Sequence, residues 1–323
     1  MNIDTTEKYT KKKGKSDLYK RFNSVKYAIL GKEVNEGLLM KVFLYTIFIS
    51  TSYIYLNPIL KMIVNMLMSE KDLIDPTVTW IPSSLFFGHI KNAWISLNYH
   101  QAFFISLLIA VSSAVFHCIS CGLAGYALAR LEFPFKKLVM ALLIVAFVIP
   151  PQVIILPTII AFQALGLDDS ILALIVPSLL GFGVKGALFV IIFRQFFQTQ
   201  PRELEEAAKI DGASAIKFYL RVMLPLAKPA ILVVFLFSFV WTWNDTYFPK
   251  MFLVDTNVLP LASEMLKLDG SITSLIESQQ MSSYEAGAVK MAASFLSLLP
   301  PLLIFVIFQR HFVEGVERTG LVE

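Results

Sequence analysis

The sequence predicts an all-α, polytopic membrane protein with six transmembrane helices, on three observations. Hydrophobic types make up 56% of the 323 residues and charged types only 16%, against about 45–50% and about 25% in soluble globular chains. Six segments are mostly apolar over about 18 or more residues, enough to cross the hydrocarbon core at about 1.5 Å per residue. None of the six carries the alternating pattern of a membrane strand. The same composition excludes general disorder. Two cysteines exclude a disulfide scaffold, and a scattered net charge of +4 leaves no nucleic-acid footprint.

The spans fall at about 38–63, 102–129, 138–160, 170–196, 227–249 and 288–309. Before them, residues 1–37 hold nine Lys/Arg and read as a basic arm, with the transmembrane domain as residues 38–323. The first span is too long, and starts too far in, for a cleaved signal peptide. With the N-terminus inside, the inner segments carry 20 Lys/Arg and the outer ones 4. This bias predicts that both termini are cytoplasmic.

The loop from about 197 to 225 carries the strongest local signal. Pro201 suits a first helical turn, where its missing N–H costs nothing. Glu203, Glu205 and Glu206 follow at the positive end of the helix dipole. Ala207 and Ala208 are strong helix formers with small surfaces. Asp211-Gly212 then breaks the helix, and a second stretch over about 214–223 ends at Leu224-Pro225. The product is a short helical hairpin outside the bilayer. On physics alone it is either a knob for a groove on another protein or an interfacial hairpin with no partner.

Glu206-Ala207-Ala208, Gly212, Val222 and Leu224-Pro225 stand at the spacing of the EAA loop of ABC importer permeases, which this segment closely resembles. The segments 125–137, 149–151, 157–170, 193–214, 241–249 and 308–315 are similar to the carbohydrate-uptake branch, in particular to its shorter, six-span, MalG-like partner. The resemblance covers roughly residues 75 to 315. It implies a type I ABC importer permease fold in a bacterial cytoplasmic membrane, and a subunit that moves a sugar or oligosaccharide inward. It implies a second homologous permease, two ATPase subunits that bind the ATP and Mg, and an extracytoplasmic binding protein. It assigns ATPase coupling to Glu206, Ala207, Ala208, Asp211, Gly212, Leu224 and Pro225.

The chain itself offers no catalytic set and binds no cofactor on this reading. Gly14-Lys15-Ser16 lacks the earlier glycine of a phosphate loop, since that position is Tyr9. Cys118 and Cys121, beside His117, read as helix-packing residues. Polar residues inside spans are costly and face cavities more often than lipid. Trp241, Trp243, Asn244, Asp245 and Tyr247 near the outer end of the fifth span offer aromatic faces and hydrogen-bonding groups for a sugar. They equally suit an outer aromatic belt. Lys185, in the middle of the fourth span, could meet an acidic cargo, pair with Asp245, or face a water-filled cavity. A secondary, ion-coupled transporter is the alternative class, but no ladder of membrane acids accompanies Asp245.

Overall fold

The computed structural model describes residues 37–257, 259–279 and 281–320, the last ten as backbone only. The basic arm expected over 1–37 lies outside the described residues except for its last position. Every regular element described is helical. The chain divides after Val64 into two units. The described part of the first is Gly37 and most of one long apolar helix, α1 (Leu38–Leu67), whose last three residues belong to the second. The second holds all the remaining helices.

Short helices α2 (Glu70–Ile74) and α3 (Gly88–Ser96) precede the central rod α4 (Tyr99–Arg130). After it come α5 (Lys136–Val148), α6 (Pro151–Ala164), α7 (Leu172–Leu179) and α8 (Gly186–Thr199). A hairpin of α9 (Glu203–Ile210) and α10 (Ala215–Leu226) leads into α11 (Lys228–Trp243). The chain closes through α12 (Tyr247–Phe252), α13 (Leu261–Glu277) and α14 (Ser283–Gly320).

Helix α4 packs against α7, α8 and α11, and α14 packs against α3, α11 and α13. The reason is written along α4. Its buried positions are mostly small, among them Ala102, Ser106, Ala110, Ser113, Ala114, Cys121, Gly122 and Gly125. Recurrence every three or four residues places them along one side of the rod, where neighbouring backbones come close. At Gly125 a Cβ would stand 2.5 Å from Phe193 Cβ and 2.8 Å from the Arg194 nitrogen. Only glycine allows α8 to lie there.

The expected spans at 38–63, 102–129 and 288–309 are the single helices α1, α4 and α14, each long and apolar enough to cross a membrane. The other three are not continuous. The span at 138–160 is α5 and α6, bent by 102° at Ile149-Pro150, because a residue before proline leaves the helical region and Pro151 suits the next first turn. The span at 170–196 is α7 and α8, separated at 180–185. Gly181 (φ +70°) ends α7 in a Schellman turn, with Phe182 N bonded to Pro177 O at 2.9 Å and Gly181 N to Ser178 O at 3.2 Å. A Cβ on Gly186 would sit 2.3 Å from Gly181 O, so the break is tight. The local cue, Gly181 and Gly183, is set inside a long apolar run, and the expected span passes through it unbroken. The span at 227–249 stops at Trp243 and meets α10 at 76°.

At the end opposite the hairpin, small clasps tie the loops. Asp72 accepts from Ser83 N at 3.1 Å and from the Ser83 hydroxyl at 2.5 Å. Beside it the His89 ring meets Met68 O at 3.1 Å. Asp169 accepts from Val254 N and Asp255 N at 2.6 and 2.9 Å.

Candidate coupling hairpin and translocation cavity

The hairpin forms for local reasons. Ser214 starts α10 by accepting from Lys217 N at 3.3 Å. Between the helices Gly212 (φ +69°) closes a Schellman turn, with Ala213 N bonded to Ala208 O at 2.9 Å and Gly212 N to Lys209 O at 3.0 Å. Leu224-Pro225 does not end the second helix as expected. The helix runs through it to Leu226, because Tyr219–Met223 is a π-helical turn. Where the ladder has already slipped out of the i→i−4 pattern, a residue without an N–H forfeits little.

The hairpin is bolted to α4. Arg130, its side chain 5% exposed, lies 3.8 Å from the Glu205 carboxylate. It donates through Nε to Phe197 O at 3.0 Å and through Nη2 to Gln200 O. Glu205 also pairs with Lys209 at 2.9 Å. The Tyr126 hydroxyl donates to Ala215 O at 3.3 Å, and Phe218 and Tyr219 are buried in the core. Of the residues assigned to coupling, Ala208 packs against this core, while Glu206, Ala207, Asp211 and Gly212 are exposed. Leu224 packs against the same core and Pro225 is exposed. Beside them stand two bare isoleucines, Ile210 at 86% and Ile216 at 71% exposure.

The Trp-Asn-Asp stretch is not one convergent site. Trp243 is 1% exposed, and its indole donates to Ser297 O at 3.1 Å. That ring is no platform for a sugar in this structure. Trp241 stacks on Phe189 and Phe237 at 5.8 and 5.3 Å within the helix packing. Asn244 is exposed, and its side chain donates back to Val240 O at 2.8 Å. Tyr247 stands edge-on to Phe248 at 5.5 Å. Asp245 does face a cavity, while its Oδ1 accepts from Tyr247 N and Phe248 N at 2.9 and 3.4 Å. Lys185 sits in the break between α7 and α8, exposed, at φ +63° and immediately before α8. No ion pair between Lys185 and Asp245 forms among the described residues, so that expectation fails in this structure.

Sequence reasoning missed Arg130, although it is the one charged residue at the end of the longest span of the second unit. It also missed the role of His117, which is fully buried. Carbonyls only accept, so in the neutral ring Nε2 donates to Phe182 O at 3.1 Å and Nδ1 accepts from the Ser238 hydroxyl at 2.8 Å. One ring thus joins α4, α11 and the break. The cysteines pack as expected, Cys121 against Gly186 O and Cys118 against Ile231 O. Among the described residues no three His, Cys, Asp or Glu gather as a metal site.

The family "Binding-protein-dependent transport system inner membrane component" matches residues 122–318. Among curated relatives, the sn-glycerol-3-phosphate transport system permease protein UgpE of Salmonella choleraesuis is 28% identical over 283 residues, covering 86% of this chain and 96% of its own. UgpE of Pectobacterium atrosepticum is 28% identical over 255 residues, 77% of this chain and 86% of its own. Among solved structures, a chain of a bacterial ABC transporter involved in the import of the acidic polysaccharide alginate superposes with a TM-score of 0.71. That match has 19% identity and covers 85% of this chain and 96% of that one, and it establishes the type I importer permease fold. The family works as a multi-pass inner-membrane component beside a partner permease, ATPase and binding protein, and is not enzymatic. The chain therefore belongs to the binding-protein-dependent transport system inner membrane components and is a permease subunit of an ABC importer.

Proposed function

We propose that this subunit carries an anionic, hydroxylated solute (a sugar acid, sugar phosphate or polyol phosphate) into the cytoplasm. It works with a second permease, two ATPase subunits that bind ATP and Mg, and an extracytoplasmic binding protein. The Lys/Arg bias supports both termini on the cytoplasmic side, with the α9–α10 hairpin facing the ATPases.

The observation that carries the coupling role is the pair of bare isoleucines, Ile210 and Ile216, on a short hairpin whose base is bolted to α4. Large apolar side chains held outside a bilayer and off the core mark a docking surface. A hairpin seated in an ATPase groove passes nucleotide-driven closure through Arg130–Glu205 and Tyr126–Ala215 into α4, and so biases the two access states. The anionic cargo is supported by Lys185, a cation in the broken fourth span that forms no ion pair among the described residues. The cargoes named for the relatives, a glycerol phosphate and an acidic polysaccharide, are both anionic.

Uptake into vesicles holding the assembled importer tests the reading. Uptake should require ATP and ignore uncouplers, and the reverse would favour an ion-coupled carrier. Ile210→Asp with Ile216→Asp should abolish uptake while the subunit still inserts. Lys185→Met should lower uptake of acidic cargo more than of neutral cargo. Equal loss, or none, removes the role given to Lys185.

A further inference from the structure

We infer that a cavity inside this subunit, between α4, α6, α7 and the α11–α12 corner, is a subsite for the hydroxyl-bearing part of the cargo, read by Ser113, Thr242 and Asp245. The inference rests on the anionic-polyol reading above and goes beyond it by naming the groups that would read the hydroxyls.

The cavity is small, about 40 Å³, room for a hydroxyl-bearing fragment rather than a whole sugar, and Ser113, Thr242, Asp245, Phe162 and Phe248 are among its walls. Two of these walls carry an unmet demand. Ser113 Oγ and Thr242 Oγ1 are buried, yet neither has a hydrogen-bond partner. Ser113 is 0% exposed. A buried hydroxyl without a partner is costly, and two facing one cavity invite a ligand that supplies the missing bonds. Ser106 on the same wall has no such demand, because its hydroxyl already accepts from Leu261 N at 2.7 Å.

Asp245 fixes the ligand's polarity. Its Oδ1 is occupied by two backbone N–H groups, and no hydrogen bond reaches Oδ2 among the described residues. A carboxylate only accepts, so the ligand must donate there, as a hydroxyl does and a phosphate or carboxylate does not. Aromatic walls suit the C–H faces of a polyol. A single carboxylate among hydroxyls and rings does not make a cation cage. Val184 also lines the cavity, and Lys185 follows it.

The test uses the complete importer in vesicles with its binding protein. Two probe pairs serve, sn-glycerol 3-phosphate with 3-hydroxypropyl phosphate, and glucuronate with its 2-deoxy analogue. The measured quantity is the ratio of uptake efficiencies within a pair. The binding protein contributes equally to wild type and variant, so any change in that ratio belongs to the permease. For the double variant Ser113→Ala, Thr242→Val the ratio should fall about tenfold, the worth of one or two hydrogen bonds. Its melting temperature in the absence of cargo should hold or rise, since unsatisfied hydroxyls have been removed. Thr242→Ser should keep the wild-type ratio. An unchanged ratio with uptake intact overturns the subsite and leaves a water-filled gap, and equal loss of both pair members also overturns it. If the wild type takes up none of the four probes with ATP, the anionic-polyol reading falls first and takes this subsite with it.

Discussion

Trp243 donates its indole N–H to the carbonyl of Ser297 at 3.1 Å, the very carbonyl that Pro301, four residues on and without an N–H, leaves unbonded in α14. Tyr99 repeats the arrangement one residue earlier. Its hydroxyl donates to Leu296 O at 3.1 Å, the acceptor left free by Pro300. A double proline inside an apolar helix survives because α4 and α11 each send a donor to the exposed backbone. Trp243→Phe should therefore destabilise by about 1–3 kcal/mol, the cost of an unpaired buried acceptor. Trp243→Phe with Pro301→Ala should recover much of that loss, because an alanine has the N–H that restores the helical bond. A thermal-unfolding mutant cycle that proves strictly additive would refute the pairing.

Arg130 is the second place where one side chain holds several elements. Replacing it with Lys keeps the charge and loses the planar fork that reaches Phe197 O, Gln200 O and Glu205 together. Each charge-assisted bond lost is worth about 1.5–3 kcal/mol. Arg130→Lys should leave insertion intact and loosen the hairpin. In the assembled importer, ATP hydrolysis should then continue with cargo uptake reduced at least several-fold. Uptake and hydrolysis falling in proportion would show that the residue is not part of the mechanical link.

Gly125 tests the packing of α4 on α8. A Cβ at 2.5 Å from Phe193 Cβ meets a side-chain root and backbone rather than a flexible end. Gly125→Ala should cost about 1–3 kcal/mol by overpacking, read as lost melting temperature. Gly270→Ala, with nothing within 4 Å of its Cβ and inside α13, is the control and should hold or raise the melting temperature, since alanine is the better helix former.

Gly212 behaves differently, since open space surrounds it and only its φ of +69° is demanding. Gly212→Ala should cost about 1–2 kcal/mol of local strain and keep partial uptake. Gly212→Pro, whose ring forbids positive φ, should abolish uptake. So should a bulky residue at Ala208, which packs on the core. Normal uptake in either severe variant would remove the hairpin's assigned role.

Asp72 sets a pH dependence in the clasp at the end opposite the hairpin. The Ser83 hydroxyl beside it, chiefly, holds its carboxyl below the usual value of 3.8. A depressed folded-state pKa means stability that is present above 3.8 and lost as the pH falls through the lower folded value. Hydrogen exchange over residues 69–90, corrected for intrinsic rates, should stay flat from pH 7 to about 5 and accelerate only in strong acid. Asp72→Asn should remove that acid step, and a step surviving in the variant would assign it elsewhere.

Much of this was legible in the residues. The six apolar segments and the helical hairpin with its turn at Asp211-Gly212 needed only composition, periodicity and glycine chemistry, while the EAA spacing spoke through its resemblance to a known family. Each is decided within a few residues of itself. The breaks were legible in part: Ile149-Pro150-Pro151 announces a bend, whereas the interruption at 180–185 hid inside a long apolar run. The helix running on through Pro225 was beyond reach, because a π turn depends on how Tyr219 and Met223 are buried by their neighbours.

The candidate cargo residues divide along the same line. Tryptophan, asparagine and aspartate in adjacent positions look alike to any rule of composition. Only packing sends Trp243 to the backbone freed by Pro301, Asn244 outward, and Asp245 to a cavity shared with Ser113, far away in the chain. Local spacing, and the family resemblance it carries, thus determined what kind of machine the chain belongs to and where its helical hairpin lies. Which polar groups face the hollow, and which are spent on repairing helices, was decided by side-chain contacts between distant segments, and those exist only once the helices have come together.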